Sequence, residues 1–225
     1  TTIFNLLTGV YKPDGGRILL DGKDITGHKA IQINQAGIAR TFQNIRLFSN
    51  MSVIDNVLVG MGNRSSCNLF ESIFRLPRYW STEKELRAGA RELLRVFGLD
   101  EERRTVASNL PYGKQRKLEI ALALATDPKL LLLDEHTAAL DPRTAAKVLD
   151  LSDRIVQEHG LTTLMITHNM KDAIAHGNRL IMMDAGQVVV DVSGEEKKKL
   201  TVPDLLAMFS RASGSDEAND KMLLS

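Results

Sequence analysis

The stretch Leu130-Leu131-Leu132-Leu133-Asp134-Glu135 constrains this chain more than any other. Four consecutive leucines, entered from Asp127-Pro128-Lys129 and closed by two carboxylates, read as a strand buried on both faces of a parallel sheet. The acids emerge at its carboxyl end, the edge at which α/β sheets bind ligands. Adjacent carboxylates at the tip of an apolar strand are costly near a core unless a cation, or a proton to be moved, meets them there. Phosphoryl chemistry supplies both. The plainer alternative is a core strand running into a helix cap, with Asp134 and Glu135 solvated.

With 225 residues, 43% hydrophobic and 25% charged, the chain can bury a core as one large domain or as one domain carrying an inserted subdomain. Lys and Arg number 29 against 28 Asp and Glu, so no net field points to nucleic acid or to an anionic membrane. The single cysteine, Cys67, excludes an internal disulfide. No apolar run approaches bilayer-spanning length, so a membrane role is expected to run through a partner.

The chain opens on Thr1-Thr2-Ile3-Phe4-Asn5-Leu6-Leu7-Thr8-Gly9, a helix closed by a Gly C-cap, with no initiator Met and no lead-in; a truncated chain is expected. Two hydroxyls in its first turn sit where free N–H groups favour an anion. Beside the acidic strand tip, Thr1-Thr2 resembles the end of G-x-x-x-x-G-K-[ST], with the glycines and lysine cut away. Thr1 would then ligate Mg²⁺ and Thr2 would lie near the α-phosphate. In such a P-loop nucleotidase Asp134 would hold Mg²⁺ through water, and Glu135 would take a proton from the attacking water. The alternative for the Thr pair is a simple N-cap.

Arg17 to Leu20, Asp21-Gly22 and Lys23 to Ile25 predict a hairpin on a type I′ turn. Ile38 to Phe42 predicts a short strand leading to Gln43, and Ser52 can cap a helix that follows it. From Asn63 to about Asn109 the pattern turns helical, over Asn68–Arg78 and Thr82–Leu99, and reads as a subdomain inserted into the α/β core. Phe70, Phe74, Tyr79 and Trp80 are expected in its core. Leu110 to Arg116 reads as a Gly-containing loop opening a helix over Lys117–Thr126, an anion site by geometry. A helix over roughly Pro142–His159, a buried strand over Leu161–Thr167 ending at His168, and a hairpin over Arg179–Val192 follow. Glu195 to Lys199 reads as solvated, Thr201–Phe209 as a capped helix and Ser213–Ser225 as a disordered tail.

Taken together, Thr1-Thr2, Gln43, Leu110 to Arg116, Leu133-Asp134-Glu135, Ala139-Leu140-Asp141 and His168 resemble, in order and spacing, the ATP-binding cassette of ABC transporters. The resemblance implies an α/β P-loop nucleotidase with a mainly parallel sheet, an antiparallel hairpin and an inserted helical subdomain. It divides the chain into residues 1–43 and 127–210 as two parts of a RecA-like core, 44–126 as the helical subdomain with Q-loop and signature, and 211–225 as a tail. It makes Glu135 and His168 catalytic, as Walker B base and switch histidine. Thr1, Gln43 and Asp134 become metal contacts, and Thr1, Thr2, Gln43, Tyr112, Gly113, Lys114 and Asp141 contact ATP. The implied cofactors are ATP and Mg²⁺. The implied partners are a second cassette arranged head to tail, transmembrane permeases met through the Q-loop and the helical subdomain, and, indirectly, an extracytoplasmic binding protein, with no nucleic acid. The implied location is peripheral, on the cytoplasmic face of the membrane.

The Pro-Tyr-Gly form at Pro111 to Gly113 is similar to cassettes for branched-chain amino-acid uptake, as are residues 1 to about 135. From His136 onward, Thr167-His168-Asn169-Met170 and Gly194-Glu195-Glu196-Lys197-Lys198 look like a less characterised importer group, which suggests a junction in or near Asp127–Glu135. Three departures stand out. The phosphate loop and its lysine are missing, Pro111 replaces a serine, and His136 replaces a proline, so the chain as it stands is expected to bind ATP poorly and hydrolyse almost none. The resulting expectation is an ABC importer ATPase. The alternatives are a soluble ABC ATPase acting on ribosomes or DNA, and a non-catalytic product.

Overall fold

A computed structural model describes residues 2–64 and 77–213. They fall into two compact units, within Thr1–Ile166 and Thr167–Ser225. Thr1, Cys67, most of the expected helix over Asn68–Arg78, with Phe70 and Phe74, and the tail beyond Ser213 lie outside the described residues.

The first unit is organised around β4, Leu130–Asp134, whose Leu131, Leu132 and Leu133 are buried. It is the middle strand of a three-stranded parallel sheet, paired with β3, Ile38–Arg40, on one side and β5, Thr162–Ile166, on the other. A strand hydrogen-bonded on both sides and packed on both faces has no wet side, which is why leucines repeat without alternation. β5 departs from the buried strand expected over Leu161–Thr167. It is the edge of this sheet, and Leu164 is 42% exposed.

Before the sheet comes α1, Thr2–Leu7, with Phe4 buried, and then the hairpin of β1, Leu19–Leu20, and β2, Lys23–Asp24. Asp21 and Gly22 both take positive φ, 49° and 76°, as a type I′ turn requires. Between the hairpin and β3 lies a helix that periodicity did not reveal, α2, Ala30–Ala36. The Gln32 side chain accepts from Lys29 N–H at its start, and Gly37 at φ 109° ends it. With one buried residue, Ile33, it carries too thin an apolar stripe to be read from pattern.

The helical segment comprises α3, Val53–Gly60, α4, Pro77–Val96, and α5, Tyr112–Ala125. Ser52 caps α3 by accepting from Asp55 N–H, as expected. Val53, Val57, Leu94, Phe97, Leu118 and Ile120 form one core with Val148 and Ile155 of α6, Pro142–His159. Trp80, by contrast, is 56% exposed and meets Tyr79 edge to face at 5.5 Å, so it is no core residue. α5 begins five residues earlier than expected, because Pro111 at φ −54° already accepts from Lys114 and Gln115 N–H through its carbonyl. Gly113 is therefore in the first turn of a helix and not in a loop.

α3 and α5 cross closely at Gly60. A Cβ there would stand 2.7 Å from the Leu122 carbonyl oxygen and 2.9 Å from Ala125 Cβ. Backbone and a short side chain cannot swing aside, so Gly60→Ala is expected to cost about 2 kcal/mol by overpacking. Urea unfolding measures it, and a variant as stable as the parent would refute the close crossing.

In the second unit α7, Met170–Ala175, is capped by Asn169, which accepts from Lys171 and Asp172 N–H. β6, Arg179–Asp184, and β7, Gln187–Ser193, form a hairpin over Ala185 and Gly186, both at positive φ. α8, Gly194–Lys199, and α9, Val202–Ser213, follow. Leu180, Val190, Val192 and Leu205 are the core of this unit. The charge run is not all solvated. Lys197 is buried and donates to the carbonyls of Ile174, His176 and Gly177 at 2.5, 2.8 and 3.2 Å. Those carbonyls close the C-terminal end of α7, where a cation is favoured.

Candidate functional site

The carboxyl end of β4 delivers two acids into different surroundings. Asp134 ends the strand, 1% exposed, with its N–H donating to Thr41 Oγ1 at 3.3 Å. Its Oδ2 accepts from Arg40 Nη2 at 2.5 Å, while its Oδ1 is buried without a hydrogen-bond partner among the described residues. The solvated alternative for Asp134 is thus excluded. The positive group that a buried carboxylate requires is here a guanidinium from the neighbouring strand.

Glu135 turns off the strand at φ 44°, left-handed backbone that costs a non-glycine residue about 1 kcal/mol or more. The same turn holds Ala139 at φ 64°. Glu135 N–H still donates to Ile166 O of β5 at 3.0 Å, so the ladder anchors the residue while the turn swings its side chain to meet Gln43. Gln43 Nε2 donates to Glu135 Oε2 at 3.0 Å across 92 residues of sequence. His136, just beyond, is buried.

Gln43 is itself held by α5. Arg116, fully buried, donates from Nη1 to Phe42 O at 2.6 Å and from Nη2 to Gln43 O and to Tyr112 Oη, the last at 3.0 Å. Glu119 pairs with Arg116 at 2.8 Å and accepts from the N–H groups of Phe42 and Arg46 at 3.1 and 3.3 Å. Burial pushes the Glu119 carboxyl above its ordinary range, against the pull of Phe42 N–H and the guanidinium. Arg116 and Glu119 therefore satisfy both polar edges of the loop that carries Gln43.

The first turn of α5 also lies on the start of α6. A Cβ on Gly113 would come within 2.7 Å of Thr144 Cγ2, and Thr144 N–H donates to Asp141 Oδ1 at 3.0 Å, the N-cap of α6. That Thr144 bond, through side chain and backbone, holds the Asp141 carboxyl below its usual range. Tyr112 is 41% exposed with its ring against Arg116, and Lys114 pairs with Glu102.

The structure thus joins Glu135, Gln43, Tyr112, Gly113 and Asp141 through one chain of contacts in the first unit. Thr2 stands apart from that chain, exposed in the first turn of α1 in an open cleft with Leu6, Tyr11, Lys12 and Pro13. His168 belongs to the second unit, one residue before the Asn169 cap. Arg40 and Glu119 were given no role from the sequence, and Arg116 was read only as the end of the stretch Leu110 to Arg116. A partial signal was there for two of them: Arg40 lies in a short, mostly apolar strand and Glu119 between Leu118 and Ile120, and such a charge needs a partner.

Among the described residues no three His, Cys, Asp or Glu side chains converge as a metal site. The unengaged Oδ1 of Asp134 nevertheless fits a Mg²⁺ held through water, with its other ligands drawn largely from phosphate oxygens.

Residues 1–138 match the family described as ABC transporter. The branched-chain amino-acid transport ATP-binding protein LivG of Escherichia coli (strain K12) is 37% identical over 209 residues, 93% of this chain and 81% of LivG. That alignment is long enough to run across Asp127–Glu135 and into both flanks. A tyrosine transport ATP-binding protein of Clostridioides difficile (strain R20291) is 36% identical over 219 residues, 94% of this chain and 82% of the relative. The ADP conformation of MJ1267, an ATP-binding cassette of an ABC transporter, superposes with a TM-score of 0.74 at 29% identity, covering 92% of this chain and 82% of that one. With residues 1–138 matched by the family and two relatives above 35% identity each covered to about four fifths of their length, this chain belongs to the ABC transporter family of ATP-binding, ATP-hydrolysing cassettes.

Proposed function

We propose that this cassette powers an importer of branched-chain or related amino acids, with Glu135 as the base that activates water. The observation that carries the reading is the Gln43–Glu135 hydrogen bond at the ligand edge of a parallel sheet, one residue from a buried aspartate with a free oxygen. Bound Mg²⁺ would supply charge neutralisation for the phosphates, held by Asp134 through water, by Gln43 and by Thr1. Glu135 lies in a strained turn with one carboxylate oxygen held by Gln43, so the other oxygen is oriented to accept a proton from a water beside the pair. Tyr112 and Gly113 at the start of α5 present first-turn N–H groups, and Lys114 an ammonium, that suit a phosphate, whereas the Asp141 carboxylate at the start of α6 suits a hydroxyl or amine donor of the nucleotide. A second cassette, membrane permeases and, through them, an extracytoplasmic binding protein complete the assembly, with this subunit peripheral on the cytoplasmic face.

The amino-acid cargo is supported by the names of the relatives, two of which transport branched-chain amino acids and tyrosine respectively. Uptake of labelled leucine and of labelled tyrosine, in cells with and without the gene, tests it. Loss of leucine uptake supports the proposal; unchanged uptake of both overturns the cargo, while Mg²⁺-dependent ATP hydrolysis by the complete gene product tests the catalytic part separately. His168→Ala is expected to lower that hydrolysis by about 100-fold with the thermal transition retained. A lost transition would make the histidine a structural residue.

A further inference from the structure

Arg40 closes β3 with its side chain 5% exposed and reaches in two directions. Nη2 donates to Asp134 Oδ2, and Nη1 donates to Asn5 Oδ1 at 2.8 Å and to Thr8 Oγ1 at 3.2 Å, both at the α1 segment. Its guanidinium lies 4.9 Å from the Phe42 ring centroid and 5.6 Å from that of Phe4. Phe42 is followed directly by Gln43, and its other neighbour is the Arg46 guanidinium at 4.4 Å.

A buried pair of charges is no gain in stability by itself, since a well-packed apolar pair of similar volume holds a core as well or better. What the guanidinium adds is geometry. A planar fork spans two acceptors at a fixed angle, which a lysine ammonium does not. One arm occupies a single oxygen of Asp134 and leaves the other, the buried Oδ1, without a partner among the described residues. The second arm ties α1, the helix that carries Thr2 in its first turn, to the same carboxylate.

We propose that Arg40 is a positioning residue for the metal-bearing carboxylate: it sets Asp134 with one oxygen engaged and the other open, and fastens α1 to it. The inference rests on the nucleotide-hydrolysing reading above. Arg40 does not touch the reacting atoms. It acts through Asp134, and its effect must disappear when Asp134 can no longer serve.

The test is a Mn²⁺ titration followed by electron paramagnetic resonance, on the complete gene product saturated with ADP, in the parent, R40M, D134N and R40M/D134N. R40M is expected to weaken Mn²⁺ binding at least five-fold in the parent background and less than two-fold in the D134N background. R40K, which keeps the charge and loses the fork, is expected to fall between R40M and the parent, and it replaces R40M if that variant does not fold. By charge alone, removing a guanidinium would tighten cation binding. A tightening, no change, or an equal shift in both backgrounds therefore overturns the positioning role. A parent protein that binds no ADP overturns the nucleotide reading itself, and this inference with it. Normal binding by the parent beside an unshifted R40M removes Arg40 alone.

Discussion

Glu135→Gln is expected to reduce ATP turnover by the complete gene product about 10³-fold while leaving nucleotide affinity within about two-fold. Glutamine keeps the volume of the side chain and an oxygen that can still accept from Gln43 Nε2, so the turn and the loop that meets it should persist. What it loses is the capacity to hold a proton taken from water. The left-handed backbone at Glu135 makes the same point from the structural side. A residue at φ 44° beside a buried strand end is an energetic cost that neighbouring bonds must offset, here the Glu135 N–H to Ile166 O bond. Steady-state hydrolysis together with equilibrium binding of an ADP analogue separates the two effects. Turnover equal to the parent's would remove Glu135 from the base role, and a loss of binding as large as the loss of turnover would make it a binding residue.

Arg116→Met should be the most destabilising single change among those considered, by about 4 kcal/mol. Glu119 would remain buried with its counter-charge gone, and three acceptors, the carbonyls of Phe42 and Gln43 and the Tyr112 hydroxyl, would lose a donor together. Methionine fills much of the space, so the loss is electrostatic and not a cavity. Replacing both partners, Arg116→Met with Glu119→Leu, should recover part of it, because no unpaired charge then remains; the N–H groups of Phe42 and Arg46 would still lack the acceptor they have now. Against a total stability of about 5–15 kcal/mol for a domain, such a loss is visible in a single urea titration. A loss under about 1 kcal/mol in Arg116→Met would show that the pair is neither as dry nor as coupled as its geometry states.

These two expectations meet at Gln43. Its side chain reaches Glu135, and its main chain hangs from α5 through Arg116. A displacement of α5 is thereby a displacement of Gln43. The double replacement, if it folds, should accordingly show lowered turnover even where its stability is restored.

Much of this molecule was legible from short-range chemistry. Leu130–Asp134 had to be an interior parallel strand, since an unbroken apolar run with no polar face cannot lie at a surface. Asp21-Gly22 demanded a turn with two positive φ angles. Ser52 and Pro142 marked helix starts, because capping is settled within a turn of the helix. The ordered set from Thr1-Thr2 through His168 then pointed to one family, whereas the hydrogen bond between Gln43 and Glu135 was not foreseen.

Long-range partners were not legible, since residue type shows that a charge needs one without showing which. Arg40 is paired with Asp134 across 94 residues, and Arg116 with the Gln43 carbonyl across 73. The burial of Lys197 in a run of charges, the exposure of Trp80 and the edge position of β5 followed from the same cause. Each depends on what another element places alongside, and local sequence carries hydrophobicity and capping but not neighbours. The sequence by itself determined the central strand, the tight turns, the capped helix starts at Ser52 and Pro142 and the kind of chemistry at the strand tip; only the tertiary structure decided which charges meet, because pairing energies belong to distances that the chain sets by folding.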